Sequence, residues 1–257
     1  MTAPTAPTAA PSRAPSRGPA LIGYTLRSCL PPKRWIAVLL PCAGALLFGL
    51  LARAIDQPAD EAFANVAAEG IFSLMMPIAA LIIGDAVLGA EVRAGTFQFT
   101  WLSPVPAWQI VLARWLGGSI AAVVSIAPAA ALAAVLAGSA TSAGPAFVAA
   151  AAGSVAYVAV FIAIGCLTKR TAVWSLALVF LVERLLGAAL TGIAQLSPTW
   201  ESRAVFVGLL DDAPSRLERS GIPAGGGAVI RLGIVTVVAL IVASWRMRHM
   251  RLSGATD

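Results

Sequence analysis

Charged residues are scarce in this chain of 257 residues: Asp, Glu, Lys and Arg make up 12% of it, against about 25% in a typical soluble domain. So few charges cannot cover a surface that faces water, which excludes an ordinary soluble enzyme. Apolar residues make up 59% and the mean hydropathy is +0.86, which excludes a disordered chain. These residues form long unbroken runs, which argues against the alternating pattern of a membrane β-barrel. The composition predicts a helical membrane protein.

Residues that carry metal or nucleophilic chemistry are also rare. Cys29, Cys42 and Cys166 have no metal-type spacing, and the single histidine, His249, lies in a basic tail. No Gly-x-x-x-x-Gly-Lys-Ser/Thr phosphate-binding loop occurs, so nucleotide chemistry would have to come from another polypeptide. We find no catalytic triad, metal cluster or intramembrane protease motif. The sequence therefore predicts no catalytic or metal-binding residue and no enzyme activity in this chain.

Six apolar runs are long enough to cross a bilayer as helices, for which about 20 residues are needed. Four charged residues interrupt them: Asp85, Glu183, Arg184 and Arg231. The third and fourth runs are separated by a Gly- and Ser-rich turn at 138–145. We expect an all-α, multi-pass membrane protein with six transmembrane helices within 35–246. The runs lie at 35–52, 70–90, both sides of the turn within 115–168, 171–196 and 224–245.

The distribution of basic residues predicts that both termini are cytoplasmic. With that orientation, the inner segments hold twelve basic residues and the outer segments five, while eight acidic residues lie outside. We expect 1–19, rich in Ala, Pro, Ser and Thr, to be a disordered tail without a signal peptide, and 247–257 to be a cytoplasmic tail. The segment 20–34 has the pattern of a short interfacial helix. A plain basic linker fits it equally well.

The loop between the second and third runs combines charged and turn-forming residues with aromatic ones. Glu91 stands four positions before Gly95-Thr96, and Arg114 opens the third run. Between them, an apolar stretch at 97–102 leads into Ser103-Pro104. This alternation fits a short amphipathic helix that lies on the membrane surface and is broken at Pro104.

These residues resemble the cytoplasmic loop of the type-2 ABC transporter permease family. Members carry an acidic residue four positions before a Gly-Thr pair, then an apolar stretch, a Ser-Pro turn and a basic residue at the third span. The six-span plan and Leu196-Ser197-Pro198 after the fifth run are similar to that family too. Arg93 departs from it, because many members have a second acidic residue there. The resemblance implies that an ATPase subunit grips the loop at about 90–109, through Glu91, Arg93, Gly95, Thr96, Pro104 and Arg114.

By the same resemblance, two permease chains, identical or different, pack side by side above two cytoplasmic ABC ATPase subunits. Those subunits bind ATP and Mg²⁺, whereas this chain holds no cofactor. The expected function is that of an exporter subunit in the bacterial cytoplasmic membrane. Because the runs are apolar, a hydrophobic or amphiphilic cargo (a drug, an antibiotic or a lipid-like molecule) fits better than a sugar or an ion. No nucleic-acid partner is expected.

Three alternatives come from other classes of protein. The loop would also suit an unrelated membrane protein. A secondary transporter or channel would need no ATPase, although such folds often show internal repeats and the two halves of this chain share none. A membrane enzyme or assembly factor would need convergent polar residues, which we do not find.

Glu183 and Arg184 stand in the middle of the fifth run. Each charge at a helix centre costs about 2.5–3.5 kcal/mol on insertion scales. Adjacent residues project about 100° apart, so the two do not neutralise each other on one face. The family's pathway is lined by the second and fifth spans, which makes both residues candidates for its wall. The alternative is an interhelical pair that fixes packing, for instance with Asp85 or across a dimer interface.

The outer loop at 197–224 contains an apolar stretch, 205–210. The resemblance implies short re-entrant or surface helices that close an external gate. A surface helix resting on the bilayer fits the same residues equally well.

Overall fold

The computed structural model describes residues 17–29, 36–89, 91, 105–168, 170–186, 196–211, 214, 217 and 225–249. Within these ranges the chain forms eight helices. They are α1 (Arg17–Cys29), α2 (Ile36–Arg53), α3 (Ala59–Gly89), α4 (Ala107–Ala137), α5 (Ala143–Leu167), α6 (Thr171–Ala177, continued by Leu178–Leu186), α7 (Pro198–Gly208) and α8 (Gly226–Arg248).

Five of these helices, α2, α3, α4, α5 and α8, are long and apolar enough to cross a membrane. The chain is therefore an all-α protein with the composition of a multi-pass membrane protein. The fifth predicted span, 171–196, is described only as far as residue 186, and α6 is shorter than the other five. The count of six spans and the cytoplasmic location of the termini stay predictions.

Several helices extend beyond the apolar runs from which they were predicted. α3 begins at Ala59, after Pro58, and α4 begins at Ala107, after Pro106. Proline suits a helix start because its missing N–H would have no partner there. The 31 residues of α4 correspond to about 46 Å of helix, whereas the hydrocarbon core is about 30 Å thick. The helix therefore takes in polar residues such as Arg114 that precede the predicted apolar run.

The helices alternate in direction, so the bundle has two chemically different ends. We call the end where α4 begins and α8 finishes the basic end, since Arg114, Arg246 and Arg248 lie there. The opposite end, where α3 and α8 begin, is the acidic end. The acidic residues there include Asp60, Glu69 and Glu201. The charge distribution predicts that the basic end faces the cytoplasm.

α3 lies at the centre of the bundle. Its most apolar stretch is 78% buried, against 28% for α2 and 22% for α8. Small residues allow the inner helices to approach each other: a Cβ on Gly118 of α4 would lie 2.7 Å from Val87 of α3 and 3.0 Å from Val158 of α5. The outward faces of α2 and α8 are apolar, as lipid contact requires.

At the acidic end, α4 and α5 form a hairpin where the sequence predicts the turn. Gly138 ends α4 with φ +88°, a conformation that glycine adopts without strain. Asp60, at the start of α3, accepts hydrogen bonds from Ser139 at 2.5 Å and Thr141 at 2.9 Å. These bonds fix the turn against the central helix.

Three stretches of π-helix widen the described helices: Ala67–Met75 and Asp85–Gly89 in α3, and Leu178–Leu186 in α6. Each stretch contains one acidic residue, namely Glu69, Asp85 and Glu183 respectively. π-helical turns are rare in proteins and are often found at functional sites.

Candidate functional site

Arg114 organises the basic end of the bundle from the second turn of α4. Its side chain is 1% exposed, and its two terminal nitrogens donate to the two carboxylate oxygens of Glu91 at 2.7 and 2.6 Å. Nη1 also donates to the carbonyl oxygen of Val87 at 2.7 Å. This forked geometry is the strongest that a guanidinium and a carboxylate form. It joins the start of α4 to the end of α3 and to residue 91.

The N-terminal helix α1 is the third partner of Arg114. The guanidinium carbon lies 5.3 Å from the centre of the Tyr24 ring, a cation–π arrangement. Burial raises the pKa of Tyr24, and the neighbouring Glu91 carboxylate raises it further. Gly117, almost one turn after Arg114, lets the buried Thr25 approach α4 closely. We refer to Tyr24, Val87, Glu91 and Arg114 as the Arg114 cluster.

The Arg114 cluster places two of the predicted coupling residues at the two ends of one segment. Glu91 precedes it and Arg114 follows it, yet the two bond to each other and are largely buried. In this structure the ion pair joins the two ends of that segment, and the role of both residues in docking an ATPase stays a prediction. Arg93, Gly95, Thr96 and Pro104 lie outside the described residues.

Tyr24 and the carbonyl of Val87 were not anticipated from the sequence. Tyr24 belongs to the apolar face of the predicted 20–34 helix, but nothing in the linear pattern relates it to Arg114. The carbonyl carries no sequence signal, because every residue has one.

Glu183 takes part in a second cluster, which joins α6 to α5 and to the start of α7. The hydroxyl of Tyr157, on α5, donates to Glu183 Oε2 and is also hydrogen-bonded to Thr199 Oγ1 at the first turn of α7. Ser197 lies close enough to interact with the same carboxyl group. The Tyr157 ring is fully buried and stacks on Phe161, with 5.3 Å between ring centres. We call Tyr157, Glu183, Ser197 and Thr199 the Glu183 cluster.

The partners that the structure describes for Glu183 are hydroxyl groups, those of Tyr157 on α5 and of Ser197 and Thr199 at the start of α7. The pairing with Asp85 or across a dimer interface stays untested. The side chain of Arg184 lies outside the described residues. The sequence did not predict a role for Tyr157 or Thr199, because the residues around them indicate only an apolar helix and a loop.

The outer loop contains α7, which packs on the bundle. Ser197 caps it by accepting from the Trp200 N–H at 3.4 Å, and Pro198 occupies the first turn. Phe206 is fully buried, with its ring centre 6.1 Å from that of Phe63 and 5.2 Å from that of Phe72. Within the apolar stretch at 205–210, Val205, Phe206 and Val207 are therefore buried against the protein.

Two ion pairs fix α7 to different helices. Arg203 donates to Glu69 of α3 at 2.9 Å, and Arg231 of α8 donates to Glu201 at 3.3 Å. Glu201 is fully buried, so desolvation raises its pKa, while Arg231 acts in the opposite direction. Together with Thr199, these contacts connect α7 to α3, α5 and α8 at the acidic end.

Among the described residues, no group of three or more His, Cys, Asp or Glu side chains is arranged to hold a metal ion. In comparisons with known proteins, neither a family model nor a curated protein matches this chain. The chain is thus a helical protein with five membrane-length apolar helices, and its two polar clusters provide the basis for a functional proposal.

Proposed function

We propose that this chain is the transmembrane permease subunit of an ABC exporter. The observation that carries the proposal is the Arg114 cluster, which closes both ends of a segment whose sequence resembles the coupling loop of the type-2 permease family. A loop anchored in this way can pass a displacement to α3 and α4 together, because a buried forked ion pair holds their ends at a fixed distance. The contact of Tyr24 with Arg114 extends the same connection to α1.

In this proposal, two cytoplasmic ATPase subunits bind ATP and Mg²⁺ and dock on the loop of each of two permease chains. Closure of the ATPase pair moves residues 92–104, and the Arg114 cluster transmits the movement to the helices. A cavity open to the cytoplasm then opens to the outside. The chain performs no catalysis itself. Its apolar helices suit a hydrophobic or amphiphilic cargo, such as a drug, an antibiotic or a lipid-like molecule.

The proposal is tested by capturing the tagged full chain from the membranes of its own host. We expect an ATPase with a phosphate-binding loop to co-purify, and its ATP hydrolysis to be retained in reconstituted vesicles. Arg93→Glu, on the loop, should reduce co-purification at least tenfold. Arg114→Lys keeps the charge but loses the fork, so it should reduce transport more than it reduces ATP hydrolysis.

Arg53→Glu is the matched control, because Arg53 is exposed at the acidic end of α2 and the change reverses the same charge. It should leave co-purification unchanged. A folded, inserted chain that captures no ATPase would contradict the proposal. Transport that continues without any ATPase would favour a secondary transporter or channel instead.

A further inference from the structure

The exposed face of α8 changes in character where the helix approaches the basic end. Ile241, Trp245 and Arg248 follow one another at spacings of four and three residues, so they share one face of the helix. All three are exposed, and the exposed fraction of Trp245 is 59%. Along this face the side chains therefore pass from aliphatic through tryptophan to arginine.

The start of α6 shows the same order of residues in the opposite chain direction. Arg170 is exposed directly before the helix, and its carbonyl oxygen accepts a hydrogen bond from the Trp174 N–H at 3.2 Å. Trp174 is 58% exposed, and Leu181, further along the helix, is exposed as well. Tryptophan favours the level of the lipid headgroups, because its ring is apolar and its N–H is polar. The two tryptophans therefore mark a membrane–water boundary at the basic end.

α5 connects these two helix ends, since both α6 and α8 pack on it. Arg246 of α8 lies close enough to Cys166, in the last turn of α5, to interact with it electrostatically, and Arg170 comes three residues after Leu167, where α5 ends. The Nε atom of Arg246 is buried, although the residue is partly exposed. We refer to five residues of this corner as the arginine–tryptophan surface: Arg170, Trp174, Trp245, Arg246 and Arg248.

Positive charge predominates on the arginine–tryptophan surface. The acidic residues that the structure describes at the basic end, Asp85 and Glu91, belong to α3 and to the segment after it, and Glu91 is bound to Arg114. A guanidinium group matches a phosphate group, with which it forms two parallel hydrogen bonds. An anionic phospholipid offers such a phosphate at the level of the tryptophans and acyl chains below it. A zwitterionic lipid has the same phosphate but no net negative charge.

We infer that the arginine–tryptophan surface binds an anionic phospholipid. Its phosphate group lies against Arg246, with Arg170 and Arg248 on either side, and its acyl chains run along the apolar faces of α6 and α8. The tryptophans favour a lipid over a soluble phosphate compound, because they place the arginines at the boundary of the hydrocarbon layer. This inference goes beyond the exporter proposal and does not depend on it.

Native mass spectrometry of the full chain in detergent tests the inference by counting bound lipids. The probes are phosphatidylglycerol and phosphatidylcholine with identical acyl chains, and water-soluble glycerol phosphate is the competitor. We expect phosphatidylglycerol to bind at least tenfold more tightly than phosphatidylcholine. Glycerol phosphate at the same concentration should not displace it. Displacement would overturn the inference, because the surface would then recognise a soluble phosphate without the help of the acyl chains.

Substitutions locate the site on the protein. Arg246→Gln should lower the preference for phosphatidylglycerol at least twofold, and the combined change of Arg170, Arg246 and Arg248 to Gln should reduce it to less than twofold. Arg27→Gln is the matched control at the same end, on an exposed residue of α1, and Arg53→Gln is the control at the opposite end. Both controls should retain the preference. An equal loss in a control and in Arg246→Gln would overturn the assignment to this surface.

A measurement on the unchanged chain guards against variants that fail to fold. Phosphatidylglycerol with a photoreactive group next to its phosphate should crosslink to the peptides that contain 167–176 and 241–250, as read by mass spectrometry. Excess phosphatidylglycerol should suppress these crosslinks, and excess phosphatidylcholine should not. Equal binding of the two lipids, equal suppression by both, or crosslinks concentrated elsewhere on the chain would each overturn the inference.

Discussion

Three carboxylates in the described helices are accommodated by different means. Glu91 is held by both arms of Arg114, Glu201 by a single contact with a half-exposed Arg231, and Glu183 by neutral hydroxyls. Two charge-assisted hydrogen bonds offset more of the free-energy cost of desolvation than one does. The cost of burying the charge is therefore offset more fully at Glu91 than at Glu201. The position of a charge in the sequence does not reveal which of these solutions the fold has adopted.

Glu201 gives a prediction for pH dependence. Burial raises its pKa in the folded protein above the ordinary value of 4.5, so the folded state binds a proton more tightly than the unfolded state. The stabilisation from this group is complete below about pH 4.5 and is lost as the pH rises through the raised folded-state pKa. Glu201→Gln, which cannot ionise, should therefore raise the thermal unfolding temperature at neutral pH and lose this advantage in acid.

The thermal unfolding temperature of both chains, measured in detergent from acid to neutral pH, checks the prediction. Glu69→Gln, at the exposed carboxylate of the other α7 ion pair, controls for the removal of a negative charge as such. If Glu201→Gln gains no stability relative to the unchanged chain as the pH rises from acid to neutral, the burial of Glu201 does not disfavour its charged form.

At the level of elements, the contact between α1 and α4 depends on a residue without a side chain. A Cβ on Gly117 would lie 2.8 Å from the Cβ of Thr25 and 3.2 Å from the carbonyl oxygen of Ile22. Neither atom belongs to the flexible end of a side chain, so the two helices would have to move apart. Gly233 on α8 is also helical, but nothing lies within 4 Å of a Cβ built there.

The matched pair Gly117→Ala and Gly233→Ala tests this contact. In a helix interior Ala is favoured over Gly by about 0.5–1 kcal/mol, so Gly233→Ala should be neutral or stabilising. Overpacking costs about 1–3 kcal/mol, so Gly117→Ala should lower the unfolding temperature and speed the cleavage of α1 by trypsin after Arg27. Equal behaviour of the two variants would mean that α1 is not held against α4 as the structure places it.

At the level of the whole molecule, the arrangement of charges makes a prediction about orientation. The basic end should face the cytoplasm and the acidic end the outside, because basic residues are retained on the inner side during insertion. Single cysteines at exposed positions test this in a chain whose Cys29, Cys42 and Cys166 are replaced. Ala140→Cys and Asp211→Cys, at the acidic end, should react with a membrane-impermeant maleimide in intact cells.

Gln109→Cys and Arg170→Cys, at exposed positions of the basic end, should react only after the cells are permeabilised. Opposite sides for positions 170 and 211 would establish a crossing between α5 and α7 and hence six spans. The reverse labelling pattern would contradict the predicted orientation, and the same side for both positions would limit the chain to the five long helices.

The sequence alone determined the class of protein, the positions of the apolar helices and the turn between α4 and α5. These follow from the lengths of apolar runs and from local turn residues, which are properties of neighbouring positions. Helix ends were less well predicted, since a helix such as α4 continues past its apolar run as long as its backbone hydrogen bonds are satisfied.

Only the tertiary structure decided which polar side chains meet. Tyr24, Glu91 and Arg114 come from three separated segments, as do Tyr157, Glu183 and Thr199. Their meeting depends on how each helix is rotated and how closely it approaches its neighbours, which packing at Gly117 and Gly118 sets. The sequence located most of the charged residues on which function is expected to depend, but the close packing of the helices selected their partners.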